Sequence, residues 1–239
     1  MLEHIDISKI IFLDVETVPL VYDYSKLDNE TANLWDKKSK YIQRYQEVSA
    51  EEAYQKAGIY AEFGKIVCIS AGYIYQEKKD VKLRVKSFYG DDEKEILLAF
   101  NSLLNKTLKD NYILCAHNGK EFDFPFLGRR NLINGLPLPK QLSLAGKKPW
   151  EVPHLDTMEL WRFGDYKHFT SLELLAHVFE IPSPKNELDG SKVAYTYYEE
   201  KNLEKIKTYC QGDVVTIAQL IRKYKGLPLL DKNQIEIIG

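Results

Sequence analysis

Cysteine is scarce in this 239-residue chain, and its three copies, Cys68, Cys115 and Cys210, are odd in number, far apart and set in apolar segments. That excludes a disulfide framework, shows no zinc-ligand spacing and suits buried thiols in a reducing compartment. Histidine is nearly as sparse, and His117, His154, His168 and His177 have no metal-binding spacing either, so ordinary surface or core roles are expected. Excess charge of one sign is missing too: 33 basic residues against 35 acidic give −2, so any nucleic-acid contact has to come from a local patch. No apolar run approaches membrane-spanning length. Met1 is followed by Leu2-Glu3-His4-Ile5-Asp6 rather than by the basic start and apolar stretch of a signal peptide. A cytoplasmic protein without membrane contact is the default expectation. There is no internal repeat or low-complexity tract, and 44% apolar residues suffice for one substantial core, so residues 1–239 are expected to form one enlarged domain.

The most informative segment is Ile10-Ile11-Phe12-Leu13-Asp14-Val15-Glu16-Thr17. Four consecutive apolar residues leave no polar face, which predicts a strand covered on both sides in a parallel or mixed sheet. Asp14 and Glu16 are then expected at its carboxyl end, where open α/β sheets bind ligands, on one face and with Cα atoms about 6.5 Å apart. A divalent cation could be held by both. Without one, two like charges at the edge of a core repel, and one has to take up a proton. A D-x-E of this kind also begins many solvated loops, so other acids must converge to favour a metal.

Residues 21–62 are polar, charged and rich in tyrosine, with Ser49-Ala50-Glu51-Glu52 in a capping-box pattern, and read as a helical insertion. A hairpin is expected from Lys65–Tyr75 and Val81–Phe88, with Gln76–Asp80 as the turn. Asp91-Asp92-Glu93 opens a helix carrying Ile96, Leu97, Phe100, Leu103 and Leu104, which leads to a strand at Tyr112–Ala116. A helix near Phe124–Leu132, a Pro/Lys/Gly-rich stretch from Leu136 to Pro153, and short helices near Thr157–Phe163 and Ser171–Phe179 follow. The last strong element runs from Asn202 to about Tyr224, with an apolar stripe of Leu203, Ile206, Cys210, Val214, Ile217 and Ile221. Leu229–Gly239 is open between a loose tail and an added edge strand.

Three further acids carry information. Asp213 lies four residues after Tyr209, hence on the same helical face and close to the apolar stripe, where a charge costs stability unless it serves a metal or a buried network. Asp123, in Asn118-Gly119-Lys120-Glu121-Phe122-Asp123-Phe124-Pro125, reads by itself as a helix N-cap, and Asp156 in His154-Leu155-Asp156-Thr157 does as well.

In order, D-x-E on a buried strand, N-x3-F-D after a later strand and Y-x3-D in the last helix resemble the three motifs of the DEDD superfamily of 3′-to-5′ exonucleases. The likeness is to the tyrosine subtype, since Tyr209 stands four residues before Asp213 and the residue five before it is Thr208 rather than His. Within the superfamily the chain is similar to the proofreading exonuclease domains of family-B DNA polymerases and to predicted stand-alone enzymes of that type, from about residue 9 to 224. Gly64–Ser70 and Ser171–Ala176 share the likeness. The resemblance implies an α/β, ribonuclease-H-like fold, a five-stranded mixed sheet with one antiparallel strand flanked by helices, from which the 21–62 insertion departs. It implies catalytic roles for Asp14, Glu16, Asp123, Tyr209 and Asp213, and contacts to the terminal nucleotide from Thr17, Asn118 and Phe122. For Phe122, plain core packing is an equally good reading.

By the same analogy two ions, Mg²⁺ or Mn²⁺, would be held by Asp14, Glu16, Asp123 and Asp213, with Asp14 between them. Hard carboxylate oxygens select such cations over softer metals. Tyr209, a phenol of pKa ~10, is a poor general base and is expected to orient the attacking water instead. The expected partner is the 3′ end of single-stranded nucleic acid, DNA before RNA. Open alternatives are an RNA-trimming enzyme of the RNase D kind, a ribonuclease-H-like module that binds without cutting, and a hydrolase of small phosphodiesters. Lys120, Arg129, Arg130, Lys147 and Lys148, with Trp150, could form a phosphate track with a stacking aromatic, though a solvated surface is the commoner meaning of such a cluster.

Overall fold

The computed structural model describes residues 2–107, 111–165, 169–182 and 188–238; His168 lies outside them. The first strand, β1 (Ile10–Pro19), pairs antiparallel with β2 (Gly64–Glu77), which turns directly into the antiparallel β3 (Asp80–Tyr89). On the other side β1 pairs in parallel with β4 (Ile113–Ala116), and β4 with the two-residue β5 (Leu155–Asp156). The sheet order is β5-β4-β1-β2-β3-β6, and β2 alone runs against the rest.

The sixth strand corrects the expected count of five. It is β6 (Ile235–Ile238), parallel to β3, formed by the segment whose sequence left tail and edge strand open. Four residues are too short a run to read, and what decides them is the unpaired edge of β3. Gln219 bonds both ways with Leu230 to turn the chain back, and Glu236 receives Lys82, Arg84 and Tyr75.

Alternation along β1 divides the core. Ile11, Leu13 and Val15 face α3 (Glu93–Thr107) and α4 (Asp123–Ile133), burying Ile96, Leu97, Phe100, Phe124 and Leu127. Ile10 and Phe12 face the long α8 (Leu203–Tyr224), which contributes Val214, Ile217, Leu220 and Ile221. The predicted stripe of α8 is thus the buried one. Its register over the sheet is pinned by a sealed polar chain in which Gln211 Nε2 donates to Ser87 Oγ at 2.9 Å and Ser87 meets Ser70 at 2.9 Å. Buried polar atoms that must find one partner fix position more sharply than apolar packing does.

The insertion is helical as expected, with α1 (Asn29–Gln46) and α2 (Ala50–Ala53), the latter opened by the Ser49–Glu52 capping box. It has its own small core around Trp35, which is fully buried among Tyr54, Tyr60 and Phe63. Gly58 packs against Val18 and Pro19, seating the insertion at the far end of β1. Arg130 ties it to α4 by donating to the Ala61 carbonyl at 2.8 Å. Three shorter helices, α5 (Thr157–Arg162), α6 (Leu172–Val178) and α7 (Val193–Tyr198), fill in around α8. The sequence pattern showed the first two and not α7, whose run of Tyr and Ala has no clear apolar stripe.

Candidate active site

β1 and β4 stay paired only as far as Phe12 and Cys115. β1 continues to Pro19 on the arm of β2, whereas β4 ends at Ala116 and leaves the sheet. Beyond Phe12 the β4 side of β1 is therefore left without a paired strand, which opens a crevice beside it. Asp14 and Glu16 lie on this second half of β1, inside the strand rather than at its end as expected, since three more residues follow Glu16.

Both acids alternate with Val15 and so face α8, where Tyr209, Cys210 and Asp213 present themselves from consecutive turns. Carboxylate oxygens of Asp14 and Glu16 and the sulfur of Cys210 all lie within 4.8 Å of one another. The Tyr209 hydroxyl lies toward Asp213, and each shifts the other's proton affinity. Asp123 enters from α4 with its charge set against Asp14. Its reading as an N-cap does not hold: Phe122 occupies that position, Asp123 is the first helical residue, and its buried Oδ1 has no hydrogen-bond partner. Asp14 Oδ2 is likewise sealed and unpartnered.

Burial raises every one of these acids, and for Glu16, Asp123 and Asp213 the charge of a neighbouring carboxylate adds to it. Asp14 is pushed up to about 6 and Asp213, with Asp14 as the charge it feels, to about 8. Burial and Asp14 together lift both Glu16 and Asp123 well above the usual carboxylate range. Asp14 is thus the hub, since its charge acts on Glu16, Asp123, Asp213 and Tyr209 alike. Burial and these carboxylates drive the Tyr209 phenol far up, so it remains neutral.

Asn118 and Phe122 belong to the turn after β4. Asn118 takes a left-handed φ of 61°, which Asn tolerates better than most side chains, and its Oδ1 is buried without a partner. Gly119 follows because a Cβ there would fall 2.4 Å from the Cβ of Ala116. Asp156 is the helix cap the sequence predicts, accepting from the backbone of Met158 and Glu159, and it also accepts from the backbone of Asn118 and Lys120, which locks the turn. Phe122 rests on Phe126 at the edge of the core, as its packing reading requires. Thr17 is half-buried and alternates to the face opposite Glu16.

Cys210 was expected only as a buried thiol. It is one, pushed up by burial, but its Sγ also donates to the Asp14 carbonyl at 3.3 Å. The one clue was its place between Tyr209 and Asp213. Of the basic cluster, Arg130 is corrected outright: it is buried in a pair with Glu93, which also accepts from the backbone of Ile66. His117 is held between Thr157 and Thr170, and His154 between Leu114 and Gln141 with burial keeping it near about 4, so both have structural roles.

A mixed sheet with one antiparallel strand, layered by helices, is a ribonuclease-H-like fold. Residues 59–225 match the model of a family described as predicted 3′-5′ exonucleases related to the exonuclease domain of PolB, and the chain belongs to that family. The match contains Asn118, Phe122, Asp123, Tyr209 and Asp213 and begins after Asp14, Glu16 and Thr17. Among solved structures, the family B DNA polymerase of the hyperthermophilic archaeon Pyrobaculum calidifontis superposes over 90% of this chain with a TM-score of 0.57 at 13% identity. The chain spans 24% of that polymerase's length, and the likeness is one of fold. No curated protein matches the sequence. No described helix is long and apolar enough to cross a membrane.

Proposed function

We propose that the protein is a divalent-metal-dependent 3′-to-5′ exonuclease that removes nucleotides one at a time from single-stranded nucleic acid, DNA in preference to RNA. The observation that carries this reading is the convergence of Asp14, Glu16, Asp123 and Asp213 in one crevice, with two of their oxygens buried and unpartnered. Four neighbouring carboxylates, Glu16 and Asp123 buried and Asp14 and Asp213 half-buried, repel one another unless protons or cations compensate them. The donors are hard oxygens, which fit Mg²⁺ or Mn²⁺; Asp14, the hub, would face two ions, with Glu16 and Asp213 completing one site and Asp123 the other.

Such a pair, when bound, stabilises charge on the attacking and departing oxygens of a phosphodiester displacement. The chain itself supplies position. Tyr209, neutral and placed beside Asp213, would present its hydroxyl to align the attacking water. Asn118 offers an unpartnered amide oxygen beside the turn, where a terminal nucleotide could donate to it. The relation to a DNA polymerase domain supports DNA as substrate.

The test is 5′-labelled single-stranded DNA and RNA incubated with Mg²⁺, Mn²⁺ or chelator, beside Asp14→Asn protein. A ladder shortening from the 3′ end, dependent on metal and absent in the variant, is expected. Internal cuts, or turnover that survives chelation, would defeat the proposal, and preferential shortening of RNA would move the substrate to the RNase D kind.

A further inference from the structure

A cavity of about 560 Å³ opens on the other side of α4, between that helix, the 138–152 segment and α5. Its volume is that of an ordinary small-molecule site. Leu138, Leu142, Leu144 and Val152 give it an apolar wall, and Lys120, Arg129, Lys147 and Arg162 add cations. Acids also line it, yet they are mostly engaged: Asp156 accepts four backbone N–H groups, and Glu159 pairs with Lys120 at 2.6 Å. Arg129 and Lys147 form no ion pair among the described residues.

Arg162 is the informative member. Its side chain is 12% exposed, its only described ion pair is a long 3.8 Å contact with Glu121, and its Nε and Nη2 are buried without any hydrogen-bond partner. A guanidinium edge with two vacant donors is the geometry that receives a phosphate. An apolar slot beside a phosphate receptor matches the two halves of a nucleotide.

The cavity borders the turn of Asn118 and the first turn of α4, next in sequence to Asp123. Asn118, whose amide oxygen is buried and unpartnered, lines it, as does Asp156, which holds the Asn118 turn through its backbone. We propose that the cavity is a nucleotide subsite: it takes one base, with its phosphate on Arg162, from the single strand whose 3′ end lies among the acids. The enzyme then prefers strands of several nucleotides over dinucleotides or small phosphodiesters. This inference rests on the nuclease reading of the acid crevice.

Gly128 provides a clean test, because it lines the cavity, takes a helical conformation, and a Cβ there meets nothing closer than 3.6 Å. Gly128→Leu fills the slot while raising helix propensity. Binding of a 5′-fluorescein single-stranded octanucleotide, DNA and RNA in parallel, is read by anisotropy in chelator. Gly128→Leu, and separately the surface double variant Arg129→Glu/Lys147→Glu, should each raise Kd about tenfold or more, the size expected for one stacked base or lost phosphate contacts. Octanucleotides carrying one abasic residue, scanned along the strand, should show a single upstream position whose loss weakens wild type and not Gly128→Leu. An unchanged Kd in Gly128→Leu, the absence of any such position, or wild type that binds no strand overturns the subsite. Strand binding that obeys these expectations with no metal-dependent shortening overturns the nuclease reading instead.

Discussion

Asp14→Asn should make the metal-free protein more stable while abolishing its activity, and the size of the effect follows from the crevice. Burial raises the Asp14 carboxyl from 3.8 to about 6 in the folded chain. A raised acid binds its proton more tightly folded than unfolded, so between those two values the native state holds more protons and stability falls as pH rises. The loss is absent below about pH 4, develops up to about pH 6 and is complete above it. At ~1.4 kcal/mol per pH unit, the two-unit shift costs about 3 kcal/mol at pH 8. Asparagine carries no charge at any of these pH values and also removes the charge that raises Glu16, Asp123 and Asp213.

Thermal unfolding in chelator at pH 8 should place the variant about 6–12 °C above wild type for a chain of this size. The gap should close as the pH is taken to 4. Mg²⁺ or Mn²⁺ should raise the wild-type midpoint and leave the variant nearly unmoved, since binding to the native state alone stabilises by mass action. A variant that melts at or below wild type at pH 8 in chelator, or a gap that does not narrow in acid, would refute the picture of four repelling carboxylates.

Tyr209→Phe keeps the ring and removes the hydroxyl that lies toward Asp213, so kcat should fall about tenfold to a thousandfold with Tm little changed; a loss as complete as that of Asp14→Asn would mean more than water alignment. Arg130→Met strips the partner from a buried Glu93 and should cost ~3–5 kcal/mol, measured by urea titration, whereas a track residue on the surface would cost almost nothing. Gly119→Ala forces a Cβ against Ala116 and Phe124, so the turn carrying Asn118 must shift, and kcat/KM for strands should drop; full activity would show that the turn has slack.

The elements near the crevice were legible wherever their period was long or extreme. The continuous apolar run of β1, the hairpin of β2 and β3, and the stripe of α8 each bury one defined set of side chains, and the structure keeps those sets. Asp213 stood out because a charge beside an apolar stripe needs a reason. Asp123 did not stand out by itself, since a carboxylate before a helix is an ordinary cap; only its approach to Asp14 separates the two meanings. Arg130 misled for the converse reason. A basic residue in a basic stretch reads as surface, and its partner Glu93 is 37 residues away.

The sequence by itself determined which side chains share a strand or a helical face, because periods of 2 and 3.6 are local properties of the backbone. It therefore settled Asp14 with Glu16, and Tyr209 with Asp213. Tertiary structure alone decided that these two pairs and Asp123 meet, that β4 lets go of β1 at Phe12 to open the crevice, that the last four described residues complete the sheet, and that an unsatisfied arginine borders a cavity beside them. Each of those outcomes depends on which buried groups find partners across long stretches of chain, and that pairing has no local signature.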